Sequence, residues 1–459
     1  MEKASYLGGT IAYVGSNLSP ALVAVGYIVG LNVAILVFLG GALNWLVAIP
    51  VVAAVEGIPR GAGSAAEAAG MIWSARTRYL GVGGMVVGGL WALIKLRANL
   101  LRGVRSSVAA YRQMRSGHGD EVLRTERDAP FQWVAAAIVA SVVPLFLLFE
   151  QFIDAPLISI TMAVIMLVAG FLFSAVAGYM AGLVGSSNNP ISGVTIATLL
   201  SASLLLLLML GHGNPAGPVA AILIGAVVCC SAAIAGDNMQ DLKAGQILGA
   251  TPYKQQIMQA VGVTSAAVVI APILSLLLRA YGIGDATPEA PNALAAPQAA
   301  LMASVAQGVF EGGLPWGMVG IGAALAVVII GVDLWLESKG STFRTPVLAV
   351  AVGIYLPFEL SVPILFGGLI AHRAVRKLRD APEEARATGE RRGLLFAAGL
   401  ITGEALVGIV MAVPIVVIGD RDVLALFGAH HSPWPGLALL LLVMVALYRV
   451  ARAKTLSPS

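Results

Sequence analysis

The chain has 459 residues, 58% of them hydrophobic and only 11% charged, where a soluble domain carries about 25% charged residues. So few charges cannot cover a soluble protein of this size, and a net charge of +4 fits basic loops beside a membrane rather than a nucleic-acid surface. Strand alternation does not recur along the apolar blocks, which excludes a β-barrel and predicts an all-α polytopic membrane protein with about 11–12 transmembrane or re-entrant segments.

The first residues lack a basic stretch, an apolar core and a small-residue cleavage site in that order, so no cleaved signal peptide is expected. GSNLSPALVAVGYIVGL begins at Gly15, and the helix after it carries a late proline in AIPVV, residues 48–52. GIPRGAG, residues 57–63, is glycine-rich but no Lys-Ser/Thr follows, so it is no phosphate loop. A basic stretch then runs from Lys95 to Arg127.

Apolar blocks at 131–149, 157–180, 193–210, 219–235, 261–278, 318–332 and 437–447 are each read as membrane segments, for which a full crossing takes about 20 residues. Glu150 and Asp333 fall at helix ends and read as solvated. SSNNPISG, residues 186–193, separates two crossings. There Asn188 and Asn189 offer amide donors and acceptors, and Pro190 suits a first helical turn whose free N–H groups could cradle a carboxylate; a capped turn in water fits equally. Residues 235–256 place Asp237, Asp241 and Lys243 at the end of a helix. Asp237 and Asp241 share one face if that helix continues, which suggests a cytoplasmic gate or latch, or else a solvated loop.

A second basic stretch spans residues 373–392. The positive-inside rule puts both stretches, and a tail bearing Arg449, Arg452 and Lys454, in the cytoplasm, and the composition suits a bacterial inner membrane. Residues 345–369, TPVLAVAVGIYLPFELSVPILFGGL, then lie between two cytoplasmic points. They are too short for two full crossings and are broken at the centre by Pro357 and Pro363. A re-entrant pair of half-helices is the reading, with a pair of short tilted crossings as the alternative; such backbone is tolerated where it lines a cavity. Tyr355 and Glu359 sit at the break. Glu404, inside the crossing at 394–417, is a second carboxyl at membrane depth. Such groups are costly there and mark ion or substrate pathways by default. Glu404 is a candidate proton site, a partner for a substrate amine, or half of an internal structural pair.

Cys229 and Cys230 are neighbours on an apolar helix, pointing apart, and no Cys/His spacing suits a metal; no metal or cofactor is expected. No Ser-His, paired-Asp or zinc-protease arrangement appears, so the chain is not read as an enzyme.

With a constant offset of 338, Val14, Gly15, Leu18, Leu22, Gly30 and Leu31 fall on Val352, Gly353, Leu356, Leu360, Gly368 and Leu369. AVPIVV at 412–417 answers AIPVV after a short insertion. An internal repeat follows, as transporters are commonly built. Residues 1–121 would end a first copy and residues 122–459 would form the second. The first copy is then short by about 217 residues, which predicts a preceding segment, an amino-terminal partner chain, or a truncated or split-subunit protein that does not transport alone.

GYIVG at 26–30, SSNNPISG at 186–193, GDNMQDLKAGQILGATPYKQQ at 236–256, VGIYLPFELSVPILFGG at 352–368 and AAGLITGEALVG at 397–408 together resemble the oligopeptide transporter (OPT) family in its prokaryotic branch. The resemblance spans nearly the whole chain in family order, but lacks the opening helices expected before Met1. It implies proton-coupled uptake of small peptides or metal chelates through about sixteen segments in duplicated halves. The expected partners are therefore the lipid bilayer, a peptide or chelate substrate and protons, with no nucleic acid; a homo-oligomer is left open.

Overall fold

The structure is a computed structural model that describes residues 2–91, 94–95, 123–184, 191–284, 293–294, 296–312, 315–420, 423 and 434–452. It opens with a hairpin of β1 (Glu2–Leu7) and β2 (Thr10–Gly15). The two-residue turn is Gly8-Gly9, both at positive φ (53° and 89°), the conformation that primed hairpin turns demand and glycine supplies. Helices α1 (Pro20–Ala42), α2 (Ile49–Glu56), α3 (Ala65–Ile72) and α4 (residues 78–91) follow. π-helical turns at Leu43–Ala48 and Trp73–Thr77 join α1 to α2 and α3 to α4. Then come α5 (Phe131–Ile153), α6 (Pro156–Val184), α7 (Ile191–Leu210), α8 (Ala216–Leu248), α9 (Pro252–Ala280) and α10 (Pro297–Glu311). The chain continues through α11 (Trp316–Ser338), α12 (Val347–Tyr355), α13 (Phe358–Lys377), α14 (Glu383–Ile418) and α15 (Trp434–Arg452).

Among the described residues, nine helical stretches are long and apolar enough to cross a membrane. The shorter apolar stretch Thr198–Leu210 and the half-helix α12 add to them. Leu157, Leu208, Val268 and Val417 point outward, as side chains against lipid do. The protein is an all-α polytopic membrane protein; among the described residues its one small sheet is the opening hairpin.

The chain divides into two compact units. The first holds the hairpin, α1 to α3 and most of α4, the end of α9, and α11 to α15. Its core is a set of reciprocal glycine contacts. Gly26 lies against the Ile364 carbonyl and Gly367 against that of Val23, joining α1 to α13. Gly40 with Val350 and Gly353 with Val37 join α1 to α12, and Gly83 with Val319 and Gly322 with Leu80 join α4 to α11. At each glycine an added Cβ would land on the facing carbonyl oxygen. In a bilayer, helices gain nothing from leaving water, so such close backbone approach supplies the dispersion and Cα–H···O contacts that hold them. Gly30, at φ 79° and ψ 168°, breaks α1 internally, a conformation open to glycine without a Cβ clash.

The second unit holds α5 to α8, most of α9 and α10. Here α8 packs on α7 through Gly225 against Leu199, while Gly217 lies under the Phe310 ring of α10. Gly249 at φ 71° ends α8, and Arg124 clasps the turn to α9, donating from Nη2 to the Gly249 carbonyl (3.0 Å) and from Nη1 to Thr251 Oγ1 (2.9 Å).

Candidate functional site

The segment at 345–369 is broken at Pro357 as expected, whereas Pro363, also expected to break it, lies inside a continuous helix, so the two parts are unequal. A nine-residue half-helix, α12, ends at Tyr355; Leu356 and Pro357 are extended (ψ 147° and 137°), and α13 then runs twenty residues to Lys377. The expected pair of half-helices is thus one half-helix and one helix of crossing length. The proline at 357 has no N–H to continue α12, and it disfavours helical φ/ψ at Leu356.

Ending a helix leaves its last carbonyls without partners. Three side-chain N–H groups take up those of α12. Asn44 Nδ2 donates to the Ile354 carbonyl (2.6 Å), Trp73 Nε1 to that of Tyr355 (3.2 Å) and Trp45 Nε1 to that of Leu356 (3.3 Å). All three donors come from the π-helical turns, where the extra residue per turn rotates side chains away from the lattice of the flanking α-helix. The rings pack at a tilt, with Trp45 and Trp73 centroids 6.2 Å apart and Tyr13 4.5 Å from Trp45. Asn44 Oδ1 and Thr77 Oγ1, on the same two turns, are fully buried with no hydrogen-bond partner among the described residues.

Glu359 and Glu404 are both tied to one stretch of chain, residues 13–21. Glu359, in the first turn of α13, accepts from the Tyr13 hydroxyl at 2.9 Å, and its backbone carbonyl accepts from Asn17 N–H at 2.9 Å. Glu404, on the exposed face of α14, accepts from the Ser19 hydroxyl (2.7 Å) and from Ala21 N–H (2.9 Å). Ser19 Oγ in turn accepts from Leu22 N–H at 3.3 Å. Ser19 is therefore the N-cap of α1, and Glu404 is a second cap supplied from another helix. A carboxylate is favoured there by the free N–H groups and the positive end of the helix dipole. Tyr13 is 2% exposed. Burial pushes its phenol pKa above the ordinary value, and the charges of Glu359 and Glu2 push it further, so the ring stays neutral.

The other candidates stand apart from this stretch. Tyr355 is buried, its backbone packed against Gly81 of α4. Asp237 and Asp241 do share one helix, since α8 continues to Leu248. Asp241 accepts from Gln259 Nε2 (2.6 Å) and Lys243 donates to Gln246 (2.8 Å), so the two do not pair with each other. Asn188, Asn189 and Pro190 lie outside the described residues. Asp333 is not a solvated end: Arg344 binds it with two hydrogen bonds (3.0 and 2.7 Å) and Thr345 N–H adds a third (2.8 Å). Glu150 Oε2 is buried, which also departs from the solvated reading. Among the described residues no group of three or more His, Cys, Asp or Glu is placed to hold a metal ion.

Nine apolar helical stretches of crossing length among the described residues, a helix broken at Leu356 and Pro357 and two carboxyls bound to residues 13–21 define a polytopic membrane protein. The family model described as OPT oligopeptide transporter protein matches residues 8–415, and the chain belongs to that family. A Haemophilus influenzae protein described as a "putative oligopeptide transporter" is 33% identical over 473 aligned positions, covering 95% of this chain and 73% of that protein. A Saccharomyces cerevisiae protein with the same description is 24% identical over 225 positions, 48% of this chain and 29% of the relative.

Proposed function

We propose that the chain takes part in proton-coupled uptake of oligopeptides, or of peptide-like metal chelates, across a bacterial inner membrane with its carboxyl terminus in the cytoplasm. The single observation that carries this reading is the attachment of both membrane-depth glutamates to residues 13–21. Glu359 belongs to the helix that follows the break and binds Tyr13 of β2, and Glu404 belongs to α14 and caps the start of α1. Protonating Glu404 removes the charge that accepts from Ala21 N–H and Ser19. That weakens the tie between α14 and α1 and gives the proton a differential effect on two arrangements, which a coupled conformational change requires. Each charge moved inward adds about 2.3 kcal/mol per 100 mV of membrane potential, enough for modest accumulation. Family membership and the relatives' descriptions support oligopeptides as cargo; positive-inside loops support the orientation.

The test is uptake of labelled small peptides by proteoliposomes under an inward proton gradient. Accumulation above equilibrium that a protonophore abolishes is expected. Uptake that merely equilibrates, with or without the gradient, would sink the proposal.

A further inference from the structure

The Tyr13 hydroxyl oxygen stands 2.9 Å from Glu2 Oε2 and 2.9 Å from Glu359 Oε2. A phenol has one proton to donate. With both carboxylates ionised, that proton serves one contact, and in the other two oxygens face each other with lone pairs only. A single added proton on either carboxyl turns the second contact into a hydrogen bond. The three groups therefore accommodate one proton beyond the phenol's own. The cross-strand register builds this arrangement: Tyr13 pairs with Ala4 and Gly15 with Glu2, which makes Glu2 the diagonal same-face neighbour of Tyr13, within reach of a long side chain. Glu2 is exposed, Tyr13 is buried, and Glu359 lies beyond it at the start of α13.

We propose that Tyr13 is a proton relay that links the exposed Glu2 to Glu359. The role rests on the proton-coupled reading above. A hydronium ion from bulk water protonates Glu2 and leaves as water. The Glu2 O–H then passes its proton to the Tyr13 oxygen as the Tyr13 O–H passes its own to Glu359. One O–H bond breaks at Glu2 and one at Tyr13, and one forms at Tyr13 and one at Glu359. The phenol is neutral before and after, and no electron changes hands. Glu2 from β1 and Glu359 from α13 are the charged groups that act on the phenol; Glu404 from α14 is engaged with Ser19 and Ala21 instead. The stack on Trp45 holds the ring in place through the transfer.

Two readouts on the full chain test this. Infrared difference spectra of the purified protein across a pH titration should show a carboxyl C=O band that disappears in a Glu2→Gln/Glu359→Gln double variant and shifts in Tyr13→Phe. An unchanged spectrum across these variants overturns the shared proton. In proteoliposomes, Tyr13→Phe keeps the ring against Trp45, and its peptide exchange without a gradient is measured as the reference for its accumulation. Accumulation driven by the proton gradient should fall to the level of Glu359→Gln. Full accumulation by Tyr13→Phe beside an inactive Glu359→Gln overturns the relay and leaves the coupling at Glu359 standing. A wild-type protein that ignores the gradient overturns the coupling reading and the relay's part in it, and the infrared band alone then decides whether the proton is shared. Should Tyr13→Phe fail to fold, the exposed Glu2→Gln carries the same comparison, with slower gradient-driven accumulation expected and an unchanged rate overturning the relay.

Discussion

Helices α1 and α13 begin at positions that the 338-residue offset pairs, Pro20 and Phe358, and each follows an extended residue, Ser19 (ψ 122°) or Pro357 (ψ 137°). The chain arrives by different routes. A strand leads toward α1, so that start leaves only N–H groups to satisfy, and Ser19 with Glu404 does so. A half-helix leads to α13, so that break also frees carbonyls, and Asn44, Trp45 and Trp73 take these. The first start is thus held by an acceptor that a proton can neutralise. The second is held by amide and indole donors that do not titrate. Two similar stretches of sequence yield one helix start capped by a carboxylate and one break capped by neutral donors, with the Glu359 carboxyl beside the latter bound to Tyr13.

The contrast can be broken at several strengths. The largest effect is expected where both regions meet. In Gly367→Val the new Cβ falls on the Val23 carbonyl, and overpacking of this kind costs about 1–3 kcal/mol or more; the thermal midpoint in detergent should drop sharply, with loss of folded yield. Next, Asn44→Leu leaves the buried Ile354 carbonyl without its donor, a loss of about 1–3 kcal/mol. It should lower the midpoint without changing how gradient-driven uptake depends on pH. Ser19→Ala is expected to be mildest in stability, about 0.5–2 kcal/mol for a lost N-cap, because Glu404 still accepts from Ala21 N–H. It should, however, alter the pH profile of uptake, which Asn44→Leu does not. Equal pH profiles for the two variants would erase the distinction between the junctions.

Much of this was legible in the sequence. The apolar blocks and the proline at 357 mark the spans and the break, while Pro363 is carried inside α13, and the cost of charge in lipid singles out Glu359 and Glu404. Three things were not. The opening hairpin rests on Gly8-Gly9 between SYL and TIAYV, a short-range cue that the long apolar runs obscure. The caps at Asn44, Trp45 and Trp73 depend on π-helical turns, which shift side-chain direction in a way that a 3.6-residue period does not register. The convergence of Glu359 and Glu404 on residues 13–21 joins positions more than 340 residues apart, which local pattern cannot encode. Tyr355 was singled out because it adjoins the break, yet its burial against Gly81 gives it a packing role there.

The most direct test of the acidic junction is a crosslink. Ser19→Cys and Glu404→Cys, in a chain with Cys229 and Cys230 replaced by serine, should be joined by a short bifunctional thiol reagent in membranes, since the native side chains meet at 2.7 Å. Joining the two should also lock the protein against gradient-driven uptake, reversibly on cleavage of the linker. Failure of the folded double variant to crosslink would contradict the placement of Glu404 at the start of α1, and with it the junction proposed to sense the proton.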